Sequence, residues 1–130
     1  MKINLGNGAV FLWNPGILQS AIDKAFKEVV QGLNNEFKEV IKDKNAFENF
    51  PGQDIIDTGE LLKNQKLNIT KPGEANYEWG TDYALYVHEG YTLRNGKRQM
   101  GRPWTQVAIR RYRPGLKFAL AVAKNLVKNN

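Results

Sequence analysis

The chain has 130 residues and a net charge of +6, with 42% hydrophobic and 25% charged residues, which is ordinary for a globular protein. We therefore expect one domain over residues 1–130. The sequence has no cysteine, which excludes disulfides and thiolate metal sites. No run approaches the roughly 18 apolar residues of a membrane span, and the first residues lack a signal-peptide pattern. We expect an intracellular protein with no membrane contact.

The charge is divided unequally along the chain. Residues 1–89 hold nine Lys or Arg against thirteen Asp or Glu, a net charge of −4, whereas residues 90–130 hold ten Lys or Arg and no acid. This asymmetry indicates an anionic partner for the C-terminal third, either nucleic acid or an acidic protein surface. The alternative is a solvated basic face that keeps the protein in solution.

The N-terminal part predicts a short strand pair and then a long helix. Residues 3–13, around Gly6-Asn7-Gly8, are consistent with a strand or small hairpin. Asn14 and Pro15 form a favourable helix start. Apolar residues then recur every three or four positions to about Lys44, which predicts an amphipathic helix about 45 Å long. They are Leu18, Ile22, Ala25, Val29, Leu33, Phe37 and Val40, widened by Ile17, Ala21, Phe26, Val30 and Ile41. Gly32 weakens the middle of this helix and permits a bend.

The central part predicts a loop, a short helix and a hairpin. Residues 45–56 are typical of a loop, and Thr58 is a favoured cap for a short helix that ends near Asn64. Two segments of period-two alternation, 66–70 and 76–80, flank Pro72-Gly73, which suits a type II turn. The inward side chains of this hairpin are predicted to be Leu67, Ile69, Tyr77 and Trp79.

The C-terminal part predicts a helical turn, a second hairpin and helices. Residues 83–87 favour a helical turn leading into Gly90, and Asn95-Gly96 predicts a tight type I′ hairpin turn. Pro103 suits the first turn of a helix, which Pro114-Gly115 interrupts. Beyond it, one apolar face is formed by Leu116, Ala119, Leu120, Ala123 and Val127, with Phe118 and Val122 to its side. The fold class is α+β, a long N-terminal helix packed on a small antiparallel sheet, with C-terminal helices.

Candidate catalytic chemistry is confined to His88 and its neighbour Glu89, which together could act as a general base. The alternative is a surface or interface histidine in a tyrosine-rich turn. The sequence has no spacing of metal ligands and no phosphate-binding loop. We therefore expect no enzyme activity, no cofactor and no metal.

The basic C-terminal third contains candidate phosphate contacts. Arginine side chains can engage phosphates, and an aromatic ring between them can stack on bases. The candidates are Arg94, Lys97, Arg98, Arg110, Arg111 and Arg113, with Arg102 extending the region. No known DNA- or RNA-recognition motif accompanies them, so the contact would be non-specific.

Three short segments in fixed order carry a resemblance to a known family. They are Asp57-Thr58-Gly59 with Leu61, then Tyr83-Ala84 with Tyr86-Val87 and Glu89-Gly90, then Gly101-Arg102-Pro103-Trp104 with Ala108. This pattern resembles the neck or tail-completion proteins of tailed bacteriophages, which join capsid to tail. The chain departs from that pattern at Asn64, where a serine is usual, in a longer hairpin between Gly90 and Arg102, and at Pro114-Gly115.

The resemblance implies a non-catalytic virion protein, assembled in the host cytoplasm, that forms a homo-oligomeric ring at the capsid–tail junction. It would contact neighbouring connector, adaptor and tail proteins, with its basic segment facing either DNA in the channel or an acidic subunit surface. A ring subunit needs apolar surface beyond its own core. Candidate interface residues are Phe11, Trp13, Asn95, Gly96 and Trp104. The alternative function is a small non-specific nucleic-acid-binding module that uses the basic C-terminal third.

Overall fold

The α+β class expected from the sequence is confirmed. The structure is a computed structural model that describes residues 2–4, 10–12, 15–43, 46–47, 58–80 and 84–128. Its helices are α1 (Pro15–Lys42), α2 (Thr58–Asn64), α3 (Ala84–Glu89), α4 (Trp104–Tyr112) and α5 (Pro114–Lys128). Its strands are β1 (Lys2–Asn4), β2 (Val10–Leu12), β3 (Lys66–Lys71), β4 (Glu74–Glu78), β5 (Gly90–Thr92) and β6 (Arg98–Met100).

Helix α1 is the element on which three of the other helices pack. Its 28 residues span about 42 Å, and they continue through Gly32 without interruption. The predicted apolar stripe is the side that faces the protein, and its buried members are Ala21, Ala25, Val29, Val30, Phe37, Val40 and Ile41. Helices α5, α4 and α2 lie against it. The predicted cap, Asn14, lies outside the described residues.

The strands in the described residues form three separate antiparallel pairs, not one sheet. Strand β1 pairs with β2, β3 with β4, and β5 with β6. In the first pair Ile3 lies opposite Phe11, and in the second Leu67 lies opposite Tyr77. All three hairpins predicted from the sequence are therefore confirmed, although the turn at Gly6-Asn7-Gly8 lies outside the described residues.

The two described hairpin turns differ in how well the sequence predicts them. Gly73 has a φ of 84°, as the second central position of a type II turn requires. The type I′ turn predicted at Asn95-Gly96 is wrong, because such a turn needs positive φ at both residues and only Gly96 has it, at 83°. The Gly96 N–H donates to the Leu93 carbonyl (2.9 Å), and the Leu93 N–H donates to the Lys97 carbonyl (2.8 Å). The loop therefore has three residues, Arg94, Asn95 and Gly96, and it ends in a left-handed glycine, as is usual for hairpin loops of this length.

The β3–β4 hairpin covers α1 only along part of its length. Leu67, Tyr77 and Trp79 are half-buried, as predicted. Ile69 faces the space towards α1, as predicted, but it is 36% exposed and not buried. An open gap of about 270 Å³ separates the end of the hairpin from α1, and Ile69 and Phe26 line it from opposite sides. The hairpin end is too far from the helix to bury Ile69.

Within the described ranges, two clusters of buried side chains hold the helices together. The larger joins the C-terminal half of α1 to α2 and α4, and it contains Phe37, Val40, Ile41, Phe47, Leu61, Trp104, Val107 and Ala108. The smaller joins the N-terminal half of α1 to α5, and it contains Ala25, Val29 and Ala121, with Tyr112, Phe118 and Val122 packed around them.

Helices α4 and α5 meet at a sharp joint. Arg113 ends α4 with a left-handed φ of 57°, and its N–H donates to the Ile109 carbonyl at 2.9 Å. Pro114 then begins α5, so the predicted interruption is confirmed. At the other end of α4, Pro103 occupies the N-cap and not the first helical turn predicted for it.

The apolar face predicted for α5 is the face that points to solvent. Phe118, Ala121 and Val122 pack towards α1 instead. The side chains of the predicted face are all exposed: Leu116, Ala119, Leu120, Ala123 and Val127. The spacing of the apolar residues gives α5 two adjacent apolar stripes, and α1 covers the one that was not predicted as the main apolar face.

Candidate functional site

The three motif segments meet around one side of the larger buried cluster. Leu61 of α2 is fully buried there, and Trp104 at the start of α4 is 1% exposed. Ala84 and Val87 of α3 pack against the same cluster. The rings of Trp79 and Trp104 meet edge to face with centroids 5.5 Å apart. The fold therefore brings together segments that lie far apart in the sequence.

The second and third segments are interlocked through their backbones. The Arg102 N–H donates to the Val87 carbonyl at 2.7 Å. A Cβ atom on Gly101 would lie 2.7 Å from the carbonyl carbon of Glu89 and 2.8 Å from the nitrogen of Gly90. Gly90 itself has a φ of 86°. Both glycines are required here, one by a close approach and one by a left-handed backbone.

Arg102 is an internal residue and not part of the basic surface. It is 3% exposed. Its Nη1 donates to the carbonyl oxygens of Met100 (3.1 Å) and Gly101 (3.0 Å). The predicted extension of the phosphate-binding region to Arg102 is therefore wrong, because the guanidinium is used to fix the chain before α4.

His88 connects α3 to the start of α4. Its Nδ1 lies 2.5 Å from Oε1 of Glu89, and its Nε2 lies 2.6 Å from Oγ1 of Thr105. Its ring meets Trp104 edge to face at 4.8 Å. A hydroxyl, an imidazole and a carboxylate in series are the components of an activated nucleophile, but the same contacts also fasten two helices. Thr105 carried no signal in the sequence beyond its place after Trp104.

An open pocket of about 540 Å³ lies beside His88. Its walls include Trp79, Leu85 and Trp104, and Glu78 lies at its edge. The indole N–H of Trp104 is buried without a hydrogen-bond acceptor in the part of the chain that the structure describes. Among those same residues no group of three or more His, Cys, Asp or Glu could hold a metal ion. The pocket suits an apolar side chain.

The candidate phosphate contacts lie on two elements. Arg94, Lys97 and Arg98 are exposed on the β5–β6 hairpin, and Arg110 and Arg113 are exposed at the end of α4. Some of their groups are already engaged. Arg98 Nη2 donates to the Glu89 carbonyl (2.9 Å), and Arg111 Nη1 donates to Oδ2 of Asp43 (2.9 Å). Arg111 is therefore the least available of the predicted contacts.

The predicted interface residues divide into three groups. Asn95 and Gly96 are exposed, and Asn95 Oδ1 accepts a hydrogen bond from the Lys97 N–H (3.0 Å), which stabilises the turn. Trp104 is buried in the core, so its interpretation as free contact surface is wrong. Phe11 lies in β2, whereas Trp13 lies outside the described residues.

The remaining motif residues vary in burial. Tyr86 is exposed and meets the Tyr91 ring edge to face at 6.4 Å. Gly59 is exposed in the first turn of α2, which Thr58 begins, and a Cβ on it would meet no atom of the described residues within 4 Å. Asp57 and Tyr83 lie outside the described residues.

Comparison with known proteins adds no relative. No protein-family model, curated protein or solved structure matches the chain. None of the helices in the described ranges is long and apolar enough to cross a membrane.

Proposed function

We propose that this chain is a structural protein of the bacteriophage head–tail junction, a neck or tail-completion protein that assembles as a ring in the virion. The observation that carries the proposal is the convergence of the three motif segments on one buried cluster, which contains Leu61 and Trp104. Because residues from all three segments pack on the same cluster, the fold supports the interpretation of the three segments as one pattern.

The roles of these residues favour a structural motif over a catalytic one. Leu61 and Trp104 fill the core. Gly90 and Gly101 allow two backbone segments to meet, and Arg102 fixes the chain that enters α4. Each of these roles sets the shape of the subunit, and the proposal assigns none of them a chemical step.

The exposed surface supports a role in assembly. Leu85 and Tyr86 on α3 are exposed, and so is the apolar face of α5; exposed apolar patches are typical of interaction sites. The division of charge between residues 1–89 and 90–130 gives the subunit oppositely charged parts. Such parts can pair between neighbours and set their register.

Deletion of the gene from the phage genome that encodes it tests the proposal. We expect DNA-filled heads and separate tails in electron micrographs of the lysate, and joined particles when the wild-type protein is supplied from a plasmid. Supply of a variant with an exposed change outside the motifs, Lys42→Ala, should restore joining equally well. Normal yields of joined, infectious particles without the protein would contradict the proposal.

A second candidate function is non-specific binding of nucleic acid. The observation that favours it is the exposure of Arg94, Lys97 and Arg98 beside the exposed ring of Tyr91. Changing the three cations to Ala should weaken duplex binding and reduce the slope of log affinity against log salt by about one for each phosphate that is no longer neutralised. The matched control is Lys71→Ala, which removes a cation paired with Glu74. A slope that the triple variant leaves unchanged would exclude this hairpin as the binding surface.

A further inference from the structure

The exposed face of α5 is a continuous apolar stripe. Leu116, Leu120 and Val127 are 52%, 60% and 73% exposed, with Ala119 and Ala123 between them. Their spacing of three or four residues places them on one side of the helix over about 16 Å. Single exposed leucines are common, but a stripe of this length marks a surface that binds something.

The charges around this stripe restrict what can bind it. Lys117 and Lys124 are exposed on α5, and residues 90–130 contain no acid. Lys124 forms a long ion pair with Glu28 of α1 (3.9 Å), and Lys117 lies over the Tyr112 ring at 5.5 Å, but both lysines stay exposed beside the stripe. Two α5 faces packed on each other would bring lysines together, and opposed like charges are unfavourable. The occupant is therefore a different surface, apolar and acidic.

The same chain carries a surface of that chemistry. The pocket beside His88 has apolar walls that include Trp79, Leu85 and Trp104, and Glu78 lies exposed at its edge. Leu85 is 67% exposed and therefore accessible to a partner. The α5 face is apolar with lysines beside it, and the open pocket is mainly apolar with the carboxylate of Glu78 among its lining residues. The two surfaces are therefore complementary in polarity and charge.

We propose that the α5 face of one copy binds the pocket beside His88 of a second copy. This inference rests on the proposed ring-forming function and names its subunit contact. Because the two surfaces are different, the contact is heterologous, and copies add head to tail until the chain of subunits closes. A two-fold dimer through α5 is not formed.

Two single variants and their mixture test the contact by sedimentation velocity. Leu120→Asp alters the α5 face and Leu85→Asp alters the pocket, and both side chains are exposed, so the circular dichroism spectrum should be unchanged. We expect the wild type to assemble and each variant alone to stay monomeric. An equal mixture should give a dimer and nothing larger, since one intact face meets one intact pocket. Ile109→Asp, on an exposed part of α4 outside both surfaces, should assemble as the wild type does.

Three results would overturn the inference: a wild type that is monomeric at its highest attainable concentration, a Leu120→Asp or Leu85→Asp variant that still assembles, or a mixture that stays monomeric. These outcomes are separable from those of the gene deletion. If the protein is needed for head–tail joining but its Leu120→Asp variant still assembles, only this contact is contradicted. If the protein assembles through α5 but is dispensable for joining, only the proposed function is contradicted.

Discussion

Tyr112 packs its ring directly on α1 at Gly32. A Cβ atom at position 32 would lie 2.6 Å from Cζ of Tyr112. Burial raises the pKa of Tyr112, and the nearby carboxylates Glu28 and Glu36 raise it further, because all three disfavour the phenolate. Gly32 is therefore the place where α4 approaches α1, and not only a weak point in a long helix.

Gly32→Ala should lower the free energy of unfolding. Helix propensity alone would favour alanine by about 1 kcal/mol. Overpacking against Tyr112 costs about 1–3 kcal/mol, so we expect a net loss in urea unfolding. In a Tyr112→Leu background the clash is absent, and there Gly32→Ala should stabilise. The same sign in both backgrounds would contradict the contact.

Gly101→Ala should destabilise the protein strongly. Among the motif glycines, only the left-handed Gly90 should tolerate alanine less well. Its Cβ would meet backbone atoms of Glu89 and Gly90 at 2.7 and 2.8 Å, and backbone cannot rotate away as a side chain can. We expect a loss of about 1–3 kcal/mol, measured by chemical unfolding. The matched control is Gly59→Ala, which meets no atom of the described residues within 4 Å and should be neutral or stabilising by about 0.4–1 kcal/mol.

Leu61→Ala and Leu116→Ala compare one substitution at two levels of burial. Leu61 is fully buried in the cluster where the motifs meet, so its truncation should cost about 2–5 kcal/mol. Leu116 is exposed on α5, and its truncation should change the free energy of unfolding of the monomer by less than about 0.5 kcal/mol. Equal losses at the two positions would contradict the assignment of Leu61 to the core.

Stability should fall between pH 10 and about 12. The Tyr77 hydroxyl donates to the Val30 carbonyl at 2.8 Å, and burial, with a smaller effect of Tyr112, raises the Tyr77 pKa from 10.0 to about 12. Above pH 10 the unfolded chain loses this proton while the folded chain keeps it, so the free energy of unfolding decreases until the folded state also ionises.

The control for the pH prediction is Tyr77→Phe. This variant should be less stable at neutral pH, because the Val30 carbonyl loses its donor. Its free energy of unfolding should depend less steeply on pH above 10, since one ionisation is removed. An identical pH profile in the two proteins would mean that Tyr77 ionises equally in the folded and unfolded states.

Features that depend on neighbours in the sequence were predictable. The repeat from Leu18 to Val40 identifies α1 and its buried side, and Pro72-Gly73 identifies a hairpin turn. The interruption at Pro114 follows from the missing N–H and the ring of proline. Each of these outcomes is decided within a few residues of backbone, so no knowledge of the tertiary fold was required.

Features that depend on tertiary packing were not predictable in the same way. The pattern of α5 contains two apolar stripes, and only the position of α1 decides that Ala121 is buried and Leu120 is exposed. The contact of His88 with Thr105 arises because α3 is placed beside α4. The resemblance groups the three motifs, but nothing in their letters indicates that Gly101 lies against Glu89 and Gly90.

The smaller buried cluster has a consequence for how the protein folds as it is synthesised. It pairs Ala25 and Val29, near the beginning of the chain, with Ala121, near its end. In the described part of the chain, α5 is the main apolar partner of this half of α1. This contact can therefore form only after α5 has left the ribosome. Until then its apolar side is open to binding by chaperones, and a nascent chain stalled before α5 should be more sensitive to proteases than a completed one.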